Sequence, residues 1–187
     1  GMGSLGTLQV NNIAGAKANG IDDVMPFAYE ETWDATDGTA HRADFFGSST
    51  GSGSVDYRIP AQEMMGLTIN ASLTLDPNAE VGSTTAGGPG ASTKSGTAYT
   101  LELAHESGLS VGGGYEKVDG YATATAGLSD QDEQSATGYA KFAAGPVTVG
   151  YQASEIDATT ATSADDEQTR WGVLYAVNDE LSVSYQS

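Results

Sequence analysis

The residues best able to do chemistry in this chain are carboxylates. One stretch, "IDDVMPFAYEETWD", places Asp22, Asp23, Glu30, Glu31 and Asp34 within a single long connection, and Asp37 follows closely. Two further clusters, "SDQDEQ" at 129–134 and "SADDEQ" at 163–168, crowd acids into shorter connections. Carboxylates in such number attract cations, and their oxygens suit a hard cation such as calcium. Neither cluster follows the twelve-residue calcium-loop pattern with its fixed glycine and final Glu. No metal-ligating residue is therefore assigned, no cofactor is expected, and any calcium would be loosely held by these acidic loops.

Enzymatic chemistry has little to work with. There is no cysteine, which removes disulfides and thiolate metal sites. The histidines are His41, beside Arg42 in the long connection, and His105, at a strand end beside a tight turn. No nucleophile elbow, HExxH, phosphate loop or dinucleotide fingerprint occurs. "GGGYEK" sits inside a strand pattern with no helix behind it, so its glycines are read as making room or relieving strand curvature. The expectation is not an enzyme.

Charge narrows the partners. Against 25 acidic residues stand 7 basic ones, a net charge of −18 over 187 residues. Phosphates would be repelled, which excludes nucleic acid. No run of about 18 apolar residues occurs, so no transmembrane helix is expected. A membrane-spanning strand needs only about 9–11 residues, half of them polar, and hydropathy averages are nearly blind to it.

The elements that must carry these acids are strands. "LTINASLTL" alternates without a slip: Leu67, Ile69, Ala71 and Leu73 on one face, Thr68, Asn70, Ser72 and Thr74 on the other. The same period of two predicts strands at about 5–11, 54–60, 67–75, 97–105, 109–118, 135–143, 147–154, 169–177 and 181–185. In "SATGYAKFA" the phase turns Tyr139 and Lys141 to the polar side, and in "TRWGVLYAV" it does so for Arg170 together with Leu174. Alternation alone suits a soluble sandwich with one solvated face as well as a barrel with one lipid face. The connections separate the two. "AQEMMG", "ESG", "AGP" and "NDE" are short, while those beginning at 76, 119 and 155 are long. Strict alternation of short and long connections gives one tidy rim and one rim of loops, as in outer-membrane barrels. A Greek-key sandwich has no reason to keep it.

One connection breaks the rhythm. Residues 12–53 are too long for an idle turn, and they carry Ile21, Val24, Met25, Pro26, Phe27, Tyr29 and Trp33 among the acids. Folded inward, such a segment would anchor its apolar residues on an inner wall and present its carboxylates to a channel. A solvated surface loop is the alternative.

"GTLQVNNIAGA" followed by "DDVMPFAYEE", then "LSVGGGYEKVD" and "GYAKFAAGPVTVGYQASEID", resemble general porins of Gram-negative bacteria, nearest to the alphaproteobacterial, Rhodobacter-like type. The resemblance implies an all-β fold: an antiparallel up-and-down transmembrane β-barrel with an inward-folded constriction loop, here 12–53 within one domain, 1–187. About nine strands of a sixteen-stranded barrel would be present, and the start at Gly1-Met2-Gly3-Ser4 and the end at "LSVSYQS" suggest an internal fragment. It further implies a homotrimer in the bacterial outer membrane, in contact with lipid and lipopolysaccharide, passing small hydrophilic solutes and ions by passive diffusion. Asp22, Asp23, Glu30, Glu31 and Asp34 would form the acidic rim of the constriction. Arg58, Lys141 and Arg170, from their phase, are candidates for the facing basic wall, and Arg58 is equally suited to bridging Asp56. The acidic excess predicts cation preference. The competing readings are a secreted or surface-layer β-sandwich or adhesin module stabilised by calcium, and a carbohydrate-binding module using Trp33 or Trp171.

Overall fold

Alternating sequences of this kind should fold as long antiparallel strands joined by hairpins. The computed structural model describes residues 1–11, 17–21, 24–28, 53–77, 80–81, 91–92, 95–121, 131–157 and 166–187. Its strands are β1 (Thr7–Val10), β2 (Val55–Arg58), β3 (Gln62–Met64), β4 (Leu67–Asp76), β5 (Glu80–Val81), β6 (Ala91–Ser92), β7 (Ser95–His105), β8 (Leu109–Tyr121), β9 (Gln131–Ala144), β10 (Val147–Asp157), β11 (Asp166–Ala176) and β12 (Ser182–Gln186). Each of the expected strands is present. All but β5 and β6, which pair only with each other, join one up-and-down antiparallel sheet in the order β1-β2-β4-β7-β8-β9-β10-β11-β12. Among the described residues β1 and β12 are its two edges.

Three details differ from the expectation. Half of the connection "AQEMMG" is strand: β3 continues β2 along the same partner, with Arg58 opposite Ser72 and then Gln62 opposite Ile69. Residues 59–61 thus face 70–71, a bulge centred on Pro60, whose missing N–H costs the ladder one bond without ending it. The true turn is Met65-Gly66, both at positive φ (55° and 78°), the geometry that matches the twist of a two-residue hairpin. Strands β8, β9 and β10 run beyond their expected ends, and the long connection after β4 contains the small β5–β6 pair. At the β7–β8 turn Gly108 has φ 91°, and a Cβ there would overlap the carbonyl oxygen of Ala143, so only glycine suits it.

Burial decides what the two faces mean. On the apolar face Tyr99 is 52% exposed, Leu101 50%, Tyr151 52% and Tyr185 62%. On the polar face Thr74, Asp56 and Gln152 are fully buried. A soluble sandwich packs apolar face on apolar face. Here the apolar face is open along the whole sheet, far more than water tolerates on a stable surface. The buried apolar cluster is small and lies on the polar side: Ile21, Met25, Ala98 and Tyr139, with Val24 against it. Two of its members come from the long connection between β1 and β2.

Candidate functional site

The site is built where the long connection crosses the polar face. The crossing begins at a 3-10 turn, Lys17–Gly20. Lys17 reaches down to β7, its Nζ 2.5 Å from Glu102 Oε1. The other carboxylate oxygen accepts a 2.7 Å bond from the Tyr139 hydroxyl on β9. Tyr139 can lie over β8 because Gly112 has no side chain; a Cβ there would sit 2.6 Å from the ring. The first glycine of "GGGYEK" does make room.

Beyond Ile21 the backbone is tethered to strand after strand. Gln152 Nε2 of β10 donates to the Ile21 carbonyl at 2.9 Å and to Thr137 Oγ1 at 3.0 Å. Lys141 Nζ of β9 donates to the Val24 carbonyl at 3.3 Å. Gln186 Nε2 of β12 donates to the Pro26 carbonyl at 3.4 Å, and the Ala28 N–H donates to Ser184 Oγ at 3.0 Å. Ile21, Met25 and Pro26 are buried by this contact, while Phe27 stays exposed. An irregular segment must satisfy its backbone somewhere, and here the long polar side chains of the wall do it.

The three basic residues singled out from the sequence all lie on strands of this wall, in different employments. Arg58 donates from Nε to Asp56 Oδ2 at 2.5 Å, and Asp56 also accepts from Thr74 Oγ1 at 3.0 Å. Lys141 is spent on the segment's backbone. Arg170, only 2% exposed, donates from Nε and Nη2 to Gln168 Oε1 at 3.1 and 2.7 Å. The five acids Asp22, Asp23, Glu30, Glu31 and Asp34, with Tyr29 and Trp33, lie outside the described residues.

The wall also carries carboxylates of its own, beyond the candidate site residues. Asp56, Asp76, Glu102, Glu116 and Glu133 all turn to the polar face, and all but Glu102 are buried. The strand phase that assigns Arg58 assigns Asp56, Glu102 and Glu116 to this face too, whereas Asp76 and Glu133 lie beyond the expected strand ends. Lys17, Arg58, Asn70 and Glu102 border a recess of about 270 Å³ between the segment and the wall. Outside, the chemistry is different: Lys117 is held between Asp119 and Asp132 at 2.8 and 2.7 Å, near the loop-bearing end of β8. Trp171 and Tyr185 pack on the apolar face with ring centres 5.2 Å apart, as amphipathic rings do at a membrane interface. Among the described residues no group of three or more His, Cys, Asp or Glu could hold a metal ion.

What this arrangement can do is conduct. One face offers apolar surface, the other offers charge of both signs, and residues 17–21 and 24–28 are tethered across the polar side. A family model described as Gram-negative porin matches residues 3–187. No curated protein matches the chain.

Proposed function

This chain belongs to the Gram-negative porin family, and we propose that its channel prefers cations and is narrowed by residues 12–53 acting as the constriction loop. It is an outer-membrane protein, and its sheet is part of a porin β-barrel. The single observation that carries the reading is the inverted burial: apolar side chains open to the outside, polar and charged ones covered on the inside. Lipid hydrocarbon suits the first face, and a water-filled lumen suits the second. Among the described residues the polar side carries Asp56, Asp76, Glu102, Glu116 and Glu133 against Lys17, Arg58, Lys141 and Arg170, with Arg58 and Lys17 each lying against one of these acids. The acids outnumber the bases, and an acidic excess on a pore wall favours cations. Asp22, Asp23, Glu30, Glu31 and Asp34 add to it as the rim of the constriction, facing Arg58, Lys141 and Arg170. The alphaproteobacterial, Rhodobacter-like type, a sixteen-stranded barrel, a homotrimer and contact with lipopolysaccharide belong to the same proposal and rest on the sequence resemblance.

The zero-current potential across a planar bilayer separating concentrated from dilute KCl tests the preference. Cations crossing faster should leave the dilute side positive, and replacing Glu102 with Gln should shrink the potential. A dilute side that stays at zero or goes negative would sink the cation reading, the first leaving a neutral pore and the second an anion-preferring one.

A further inference from the structure

The tethers hold the segment to the wall, but they do not set how close it lies. At one place the segment meets the bare backbone of the wall. Gly150 of β10 and Gly172 of β11 are cross-strand partners, and their faces meet Met25-Pro26 directly. A Cβ on Gly150 would stand 2.7 Å from Pro26 Cδ and 3.1 Å from Met25 Cε. One on Gly172 would stand 3.0 Å from the Pro26 carbonyl oxygen and 3.2 Å from Pro26 Cδ. Neighbouring polar-face positions on the same strands carry Gln152, Thr148, Arg170 and Leu174, which would hold any crossing chain away from the sheet. Proline suits the notch from the other side, because it brings no N–H that would need a partner there.

We propose that the Gly150–Gly172 pair is the seat that fixes the depth of the segment, and so determines which solute sizes the pore admits. The inference rests on the porin reading and deepens it. The wall cannot yield: β10 is laddered to β9 and to β11 along nearly its whole length. The segment can, since it is held by single hydrogen bonds to Lys141, Gln152, Gln186 and Ser184 and by the Lys17–Glu102 ion pair. A side chain at either glycine therefore lifts Met25-Pro26 into the lumen and narrows the passage.

The test uses the full chain, purified from outer membranes and placed in planar bilayers and in sugar-swelling liposomes. Gly150→Val and Gly172→Val should each lower single-channel conductance about twofold, since conduction follows pore width, and should exclude the largest sugars that the wild type admits. Gly138→Val is the control. That glycine faces outward, and a Cβ there comes no nearer than 3.9 Å to any neighbour, the Gly112 carbonyl oxygen; it should leave both readings unchanged. Gly150→Ala should narrow the pore less, and adding Pro26→Ala should restore it. Folded Gly150→Val and Gly172→Val with wild-type conductance and cut-off would overturn the seat, as would an equal loss in Gly138→Val. Should the valine variants not fold, the alanine pair decides: rescue by Pro26→Ala supports the seat, and identical conductance with and without it overturns the seat. A wild type that forms no channel would bring down the porin reading and this inference together, whereas a conducting wild type with unaltered variants brings down the seat alone.

Discussion

Leu101→Arg should destabilise the folded protein by about 2–4 kcal/mol, the cost of a charge at the lipid midplane of a barrel. Leu101 lies midway along β7, on the apolar face and 50% exposed. Its cross-strand neighbours are Ala71 and Gly113, which offer no carboxylate to pair with. In a soluble sandwich the same change at a half-exposed site would move stability by no more than about 0.5 kcal/mol. Urea titration of the protein refolded in lipid vesicles, followed by tryptophan fluorescence, measures the difference. A midpoint unmoved by Leu101→Arg would mean that this face is in water.

Replacing residues 12–53 with Asn-Gly should open the pore several-fold while leaving the wall folded. The design follows from how β1 and β2 end. Val10 is opposite Val55, the Asn11 N–H donates to the Ser54 carbonyl at 2.9 Å, and Asn11 Nδ2 donates to Ser54 Oγ at 3.2 Å. The two chain ends already stand as a hairpin would hold them, and Asn-Gly supplies the positive φ values that a two-residue turn needs. The wall loses the burial of Ile21 and Met25, but its ladders do not depend on them. Single-channel conductance and sugar cut-off should both rise, with the folded band retained on unheated gels. A folded variant with an unchanged cut-off would show that the segment does not restrict the pore.

Much of the wall was legible in the sequence because a strand's side-chain period is two and a slip of one residue would invert both faces. Thr74 and Leu75 could be assigned to opposite sides with no knowledge of their partners, and so could Tyr139 and Lys141 in a less regular stretch. The polar, unalternating "AQEMMG" reads as a short connection, but a bulge around Pro60 absorbs its missing N–H and the strand resumes at Gln62. The segment's course was harder to read. Apolar bulk in residues 12–53 pointed inward, but the bonds that place it join residues far apart in the chain, such as Gln152 to Ile21, and no local pattern announces them. Lys141 shows the limit clearly. Its phase put it on the polar face, but whether it faces the lumen or holds a carbonyl depends on where Val24 comes to rest. The phase of their neighbours puts Gly150 and Gly172 on the polar face, but it gives them no role, and only the approach of Pro26 does.

The central claim is that the polar face of the sheet lines water inside a pore. The absence of cysteine makes a direct test possible with one introduced thiol at Asn70, which borders the recess beside Lys17 and Glu102. Single-channel current through Asn70→Cys is recorded while a charged, membrane-impermeant thiol reagent is added. The account predicts stepwise, irreversible drops in current as each pore is modified, with none in the cysteine-free wild type. A thiol at Asn70 that reacts without changing the current, or that cannot be reached from water, would contradict it.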